Sequence, residues 1–133
     1  MKTFFDTAVF IYALDRNSSS ARKLFEQAIN EGEVATSVIT ISEYTVDCLR
    51  KGNIEASNRF DSFLSNLGFE IASIDEDVAR IAASIRCEYP AFKLPDALQI
   101  ASALKHQSDR FVTNDKQLLQ YHNDSLIIVK SGE

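Results

Sequence analysis

Four carboxylates stand beside the ends of predicted strands or in the first turns of predicted helices: Asp6, Glu43, Asp96 and Asp115. Ligand sites in sheets of parallel strands lie beyond the carboxyl ends of the strands, so we expect these side chains to converge there. Like charges held together repel and raise one another's pKa. Hard divalent cations such as Mg²⁺ and Mn²⁺ take oxygen ligands and relieve that repulsion. A carboxylate-bound cation in turn suits the hydrolysis of phosphodiester bonds.

Helix capping explains each aspartate just as well when it is considered alone. An aspartate at the start of a helix accepts hydrogen bonds from free backbone N–H groups and faces the positive end of the helix dipole. Glu43 lies opposite the apolar stripe of its helix, so it faces either solvent or a cleft. The joint placement of the four residues, more than any one of them, favours a metal site.

Other chemistries lack their motifs. The sequence has no GxxxxGK[ST] loop, no GxGxxG after its first strand and no GxSxG turn, which disfavours P-loop enzymes, dinucleotide cofactors and serine hydrolases of that class. A phosphate-accepting receiver domain would need a second acid beside Asp6 and a lysine where Asn114 stands. His106 and His122 lie toward helix ends and are expected at the surface.

The pattern of apolar residues predicts strands that alternate with helices. The predicted strands are Thr3–Phe5, Glu33–Thr36, Phe69–Ile71, Arg110–Thr113 and Leu126–Val129. The predicted helices are Ala8–Leu14, one capped within Ser18–Ser20 and ended by Gly32, one with a stripe from Ile41 to Leu49, one ended by Gly68, one from about Asp75, one opened by Pro95, and Lys116–Tyr121. This alternation predicts an α/β three-layer sandwich with a central parallel sheet of about five strands.

Composition sets further bounds. The 133 residues predict a single domain spanning residues 1–133, and 14 lysines and arginines against 19 aspartates and glutamates argue against a polybasic nucleic-acid binder. Two cysteines, Cys48 and Cys87, are too few for a disulfide scaffold and favour a reduced, cytoplasmic setting. The longest apolar run, Ala8–Leu14, is much shorter than a membrane span, so no membrane association is expected.

Four short motifs in order resemble those of PIN-domain ribonucleases, and the small chain is similar to VapC-type toxins of toxin–antitoxin pairs. They are FFDTAVFIYAL at 4–14, SVITISEYTVDCL at 37–49, LPDALQIASAL at 94–104 and FVTNDKQL at 111–118. The resemblance covers nearly the whole chain.

The resemblance implies a site and a reaction. Asp6, Glu43, Asp96 and Asp115 take the positions of the family's catalytic, Mg²⁺- or Mn²⁺-binding carboxylates, and RNA would be hydrolysed by a metal-activated water. The supporting polar residues would be Thr7, Thr113, Asn114 and, more weakly, Asp47. Ala8 departs from the pattern, since many members carry Asn or Ser there. The basic residues expected to contact RNA are Lys93, Lys116, Arg50, Lys51 and Arg86, although ordinary solvated charge explains each equally well.

The resemblance also implies a cognate antitoxin and a homodimer, with the apolar helices at 21–29 and 53–67 as candidate surfaces. Two alternatives stay open. The chain is a PIN-like domain that binds or assembles without catalysis, or it is a housekeeping PIN nuclease that has no antitoxin.

Overall fold

The computed structural model describes residues 1–131 and contains five strands and six α-helices. The strands are β1 (Lys2–Phe5), β2 (Glu33–Ser37), β3 (Glu70–Ala72), β4 (Arg110–Thr113) and β5 (Ile127–Lys130). The helices are α1 (Thr7–Leu14), α2 (Ser19–Glu31), α3 (Val38–Arg50), α4 (Ile54–Asn66), α5 (Glu76–Glu88) and α6 (Leu94–Lys105). Lys116–Gln120 forms a 3₁₀ turn where the sequence predicted a short helix.

The strands form one sheet in the order β3-β2-β1-β4-β5, and every neighbouring pair is parallel. The chain therefore builds outward from β1 on one side, through β2 and β3, and returns to β4 on the other side. The predicted α/β sandwich with a parallel sheet of about five strands is confirmed. The carboxyl ends of β1 and β4 lie side by side at this topological switch point, which is where open α/β sheets place their ligand sites.

Helices cover both faces of the sheet, and successive phenylalanines of β1 serve the two layers. Phe4 stacks on Phe111 at 5.5 Å within the core that α5 and α6 close. Phe5 lies on the opposite face, in the aromatic core that α1 to α4 close. Its ring centroid is 4.3 Å from that of Phe25. Side chains of a strand alternate between faces, so β1 contributes to both cores just before Asp6.

Local signals account for most element boundaries. Asp6, Ser18 and Asp75 cap α1, α2 and α5 through their side chains. The sequence offered Asp6 and Ser18 as caps and predicted only that a helix begins near Asp75. Gly32 ends α2 with φ of 153°, and a Cβ there would lie 2.1 Å from the Met1 carbonyl oxygen, so only glycine fits.

One residue of the predicted apolar stripes lies outside the core. Leu49, near the end of α3, is 69% exposed. No helix within residues 1–131 combines the length and the apolar character needed to cross a membrane.

Candidate functional site

A cleft of about 310 Å³ opens at the carboxyl edge of the sheet, beside the ends of β1 and β4. It is lined by Asp6, Thr7, Ala8, Ile11, Glu43, Asp96 and Asp115. All four carboxylates singled out in the sequence therefore line one cleft, although they come from segments as far apart as β1 and the end of β4. The cleft lacks a positively charged wall, because these lining residues include no lysine or arginine.

Asp6 is the most buried of the four carboxylates, at 7% exposed. Pairing of Phe5 with Val112 places it beside Thr113, whose hydroxyl donates to Asp6 Oδ2 at 2.9 Å. The backbone N–H of Thr7 donates to Asp6 Oδ1 at 2.9 Å, so the residue is also the N-cap of α1. Burial raises the pKa of Asp6 to about 6, despite these two hydrogen bonds, and the charges of Asp96 and Glu43 add to the rise. Asp6 therefore both caps α1 and lines the acidic cleft.

Asp96 and Asp115 complete the side of the cleft that faces α6 and the end of β4. Asp96 lies in the first turn of α6 and is half-buried, and it is not the cap, since Lys93 occupies that position without a side-chain bond. Burial raises the pKa of Asp96 above its ordinary value, the charges of Asp115 and Glu43 raise it further, and the charge of Lys93 opposes the rise. Asp115 is exposed and caps the 3₁₀ turn through a 2.9 Å bond from the Gln117 N–H.

Glu43 enters the cleft from α3, whereas Asp96 belongs to α6. Its side chain is held by Thr7, whose hydroxyl donates to Glu43 Oε1 at 2.5 Å. The residue is exposed and lines the cleft. The sequence predicted that it would face either solvent or a cleft, and it faces both.

A buried polar network lies beneath the carboxylates, and sequence reasoning did not find it. Its hub is Gln99 of α6, 1% exposed, whose Nε2 donates to Thr40 Oγ1 at 2.8 Å and whose Oε1 accepts from Ser37 at 2.5 Å. Thr36 donates to the Phe5 carbonyl oxygen at 2.8 Å. The sequence offered two signals for this network: three small hydroxyl residues within TSVIT at 36–40, and a glutamine one turn beyond Asp96.

The other polar residues predicted near the site lie at its edge or away from it. Asn114 accepts a hydrogen bond from Ser131 at 2.9 Å, which ties the end of β4 to the segment after β5. Asp47 pairs with Lys51 at 3.0 Å along α3, and both line a separate depression with Arg59.

The remaining predicted basic residues divide by position. Lys93 and Lys116 are exposed and lie within three residues of Asp96 and next to Asp115, respectively. Arg86 donates through Nε to the Phe92 carbonyl oxygen at 3.2 Å, so it holds the loop between α5 and α6. Arg50 is exposed in the last turn of α3.

The donor set of the cleft fits a hard divalent cation. As the side chains stand, no three histidine, cysteine or acidic side chains within residues 1–131 lie close enough together to enclose a metal. Mg²⁺ seldom requires such a cage, because it keeps several waters and binds through one or two carboxylates. None of the ion pairs found in this part of the chain involves Asp6, Glu43, Asp96 or Asp115. The cleft therefore offers carboxylate oxygens whose charge the observed ion pairs leave uncompensated.

The fold and the cleft together define a PIN domain. The sequence profile of the PIN domain matches residues 3–123, and the chain belongs to this family. A comparison with curated protein sequences finds no match.

Solved structures of toxin–antitoxin complexes share the fold over nearly the full chain. A chain of VapBC2 from Rickettsia felis, bound to a promoter DNA fragment, is 20% identical with a TM-score of 0.83, and 98% of each chain is covered. A chain of a toxin–antitoxin complex from Klebsiella pneumoniae is 27% identical with a TM-score of 0.73, covering 94% of this chain and 95% of that one. VapC20 from Mycobacterium tuberculosis, described as a toxin that cleaves the sarcin-ricin loop, is 14% identical with a TM-score of 0.66 over 92% and 91% of the two chains. The chain is thus a VapC-like PIN protein in fold.

Proposed function

We propose that this protein is a Mg²⁺- or Mn²⁺-dependent endoribonuclease and the toxin of a toxin–antitoxin pair. The observation that carries the proposal is the convergence of Asp6, Glu43, Asp96 and Asp115 on one cleft that contains no cationic side chain. Such a cleft repels an RNA phosphate until a cation occupies it. When bound, the cation supplies Lewis-acid charge for the phosphate and lowers the pKa of a water molecule.

The chain's own residues divide the remaining work. Asp6 and Asp96 would hold the cation as its inner ligands, since both are at least half-buried and both have raised pKa values that a cation would reverse. Glu43 and Asp115 are exposed at the mouth, where they can orient waters and the incoming phosphate. Thr113 keeps Asp6 Oδ2 fixed by its 2.9 Å hydrogen bond. Lys93 and Lys116 lie at the rim, in position to meet the flanking phosphates of the RNA.

The antitoxin is inferred from relatives. The K. pneumoniae structure is a toxin–antitoxin complex and the R. felis structure is VapBC2 bound to promoter DNA, and they share this fold over at least 94% of the present chain. We therefore propose a cognate antitoxin that covers the acidic cleft. A homodimer and a cytoplasmic site of action are proposed from the resemblance to VapC-type toxins alone.

The test is cleavage of single-stranded and structured RNA by the purified protein in Mg²⁺ or Mn²⁺, compared with Asp96→Asn. The variant is expected to lose cleavage by several orders of magnitude while keeping a wild-type circular dichroism spectrum. Asp124→Asn, which removes an exposed carboxylate outside the cleft, is the matched control and should cleave like the wild type.

Two results would overturn the proposal. Cleavage that persists in Asp96→Asn, or in excess chelator, would mean that the acidic cleft does not carry the reaction. A wild-type protein that binds Mn²⁺ but cleaves no RNA would favour a PIN-like domain that binds or assembles without catalysis. Co-purification with the product of a neighbouring short reading frame, and relief of growth inhibition by it, tests the toxin assignment separately.

A further inference from the structure

Gln99 contacts both Asp6 and the polar side chains beneath Glu43. It lies one turn after Asp96 on α6 and is 1% exposed. Its amide reaches the end of β1, the start of α1 and the junction of β2 with α3. A buried amide is costly unless its hydrogen bonds are made, and here both ends are occupied.

The orientation of the Gln99 amide is set by Asp6. Ser37 Oγ accepts from the Ile39 N–H at 3.1 Å and donates to Gln99 Oε1 at 2.5 Å. A serine hydroxyl can also accept from an amide, so Ser37 fits either orientation. A reversed amide would turn its oxygen toward Asp6 Oδ1, where an ionised carboxylate has no proton to donate, so the NH₂ end of Gln99 points toward Asp6.

The two amide protons have different partners. One goes to Thr40 Oγ1 at 2.8 Å, a normal hydrogen bond. The other faces Asp6 Oδ1 and Thr7 Oγ1, both at 3.4 Å, and these longer contacts are weak. The amide therefore acts mainly through Thr40, with the direct contact to Asp6 as a smaller contribution.

The chain of hydrogen bonds continues from this hub to Glu43. Thr40 Oγ1 lies 3.1 Å from Thr7 Oγ1. The single hydroxyl proton of Thr7 goes to Glu43 Oε1, so Thr7 accepts from the other side. Thr36 has one proton and lies 2.8 Å from both the Phe5 carbonyl oxygen and Thr40 Oγ1. When Thr36 donates to Thr40, the proton of Thr40 goes to Thr7; when Thr36 donates to Phe5, Thr40 donates to Thr36 and Thr7 accepts from Gln99 Nε2 at 3.4 Å. In both arrangements Gln99 donates into the Thr40–Thr7 pair that holds Glu43, and it contacts the carboxylate of Asp6 from the same amide nitrogen.

We propose that Gln99 is a positioning residue that fixes Asp6 and Glu43 relative to each other for cation binding. The inference rests on the proposed function, since it assumes that both carboxylates are ligands. Residues that orient metal ligands typically change metal affinity about 10–100-fold when they are replaced. A merely structural glutamine would lower stability and leave that affinity unchanged.

The test is the affinity of the full chain for Mn²⁺ alone, measured from the electron paramagnetic resonance signal of free Mn²⁺. Gln99→Met keeps the length of the side chain and removes its polar atoms, and it is expected to weaken Mn²⁺ binding about 10-fold or more. Ser102→Ala is the control, because Ser102 is equally buried on the same helix but donates to the Leu98 carbonyl oxygen. It should bind Mn²⁺ like the wild type.

A second pair of variants protects the test against misfolding of Gln99→Met. Thr40→Val keeps the side-chain shape and removes the hydroxyl that accepts from Gln99, so it should also weaken Mn²⁺ binding, and Thr40→Ser should restore it. Wild-type Mn²⁺ affinity in folded Gln99→Met, or in Thr40→Val where the former does not fold, would overturn the positioning role. A wild-type protein that binds Mn²⁺ without cleaving RNA would overturn the proposed function and leave this role standing, whereas absence of Mn²⁺ binding in the wild type would overturn both.

Discussion

The hydroxyl of Thr7 donates to Glu43 Oε1 at 2.5 Å and thereby joins the first residue of α1 to the acidic residue of α3. These residues lie 36 positions apart in the sequence. The bond matters because Glu43 is exposed, and an exposed glutamate samples many rotamers unless something holds it. Thr7 supplies that restraint from a buried position.

Replacement of Thr7 by Val should therefore damage the reaction more than the fold. We expect the cleavage rate to fall about 10–100-fold, with a loss of roughly 1 kcal/mol in the free energy of unfolding. Thr7→Ser retains the hydroxyl and should cleave within a few-fold of the wild type. Cleavage rates and urea denaturation of the three proteins measure both effects, and equal cleavage by Thr7→Val would show that Glu43 needs no restraint.

Asp6 predicts an unusual dependence of stability on pH in the absence of metal. Its pKa is about 6 in the folded protein against 3.8 as the ordinary value. Between these values the folded protein keeps a proton that the unfolded chain has released, so the free energy of unfolding falls as the pH rises from 4 to 6. The full loss amounts to roughly 3 kcal/mol at neutral pH.

Asp6→Asn removes this ionisation and should be more stable than the wild type at pH 7 in chelator, with the difference vanishing near pH 4. Urea denaturation at the two pH values measures it. The exposed Asp61→Asn on α4 serves as the control and should show no such crossover. A stability difference between Asp6→Asn and the wild type that does not change with pH would contradict a raised pKa of Asp6 in the folded protein.

Divalent cations should reverse the ranking of these two proteins. Binding to the folded state alone adds about 2.7 kcal/mol when the ligand is at 100 times its Kd, and this gain belongs only to proteins that keep the inner ligands. We expect Mn²⁺ to raise the melting temperature of the wild type and to leave Asp6→Asn and Asp96→Asn unchanged. Differential scanning calorimetry provides the measurement, and an equal rise in all three would place the cation elsewhere.

Replacement of Lys93 should change the salt dependence of cleavage, whereas replacement of Arg86 should change stability. Lys93 is exposed and its charge acts on Asp96, so Lys93→Gln should reduce the slope of log kcat/KM against log salt by about 1. The Arg86 guanidinium donates to the Phe92 carbonyl oxygen, so Arg86→Gln should cost roughly 1 kcal/mol of stability and leave that slope unchanged. Cleavage assays over a series of salt concentrations separate the two, and an equal slope change in both variants would contradict the division.

The sequence predicted elements well where short-range signals operate. Asp6 and Ser18 cap their helices as expected, and Gly32 ends α2. The 3₁₀ turn at Lys116–Gln120 and the exposed Leu49 are the departures. Both depend on which other elements pack against these short segments, and the period of the apolar residues does not predict that packing.

The carboxylates of the candidate site could be predicted from the sequence, whereas the buried polar residues beneath them could not. A carboxylate after a strand is visible in the sequence because strand ends can be located. The burial of Gln99, Thr36 and Thr40 is not visible, since small polar residues at these spacings also fit a solvated helix face. Their common location follows only from the packing of α6 on the β2–α3 junction.

The pairing of β1 with β4 bears on when activity can arise during synthesis. Thr113, which donates to the carboxylate of Asp6, is translated 107 residues after it. Proteins are made from the amino end, and a domain folds once its long-range partners are available. A ribosome-bound fragment that ends before β4 lacks both Thr113 and Asp115. The cleft therefore forms only after β4 and the residues that follow it have been translated, so the four carboxylates cannot act together before that point.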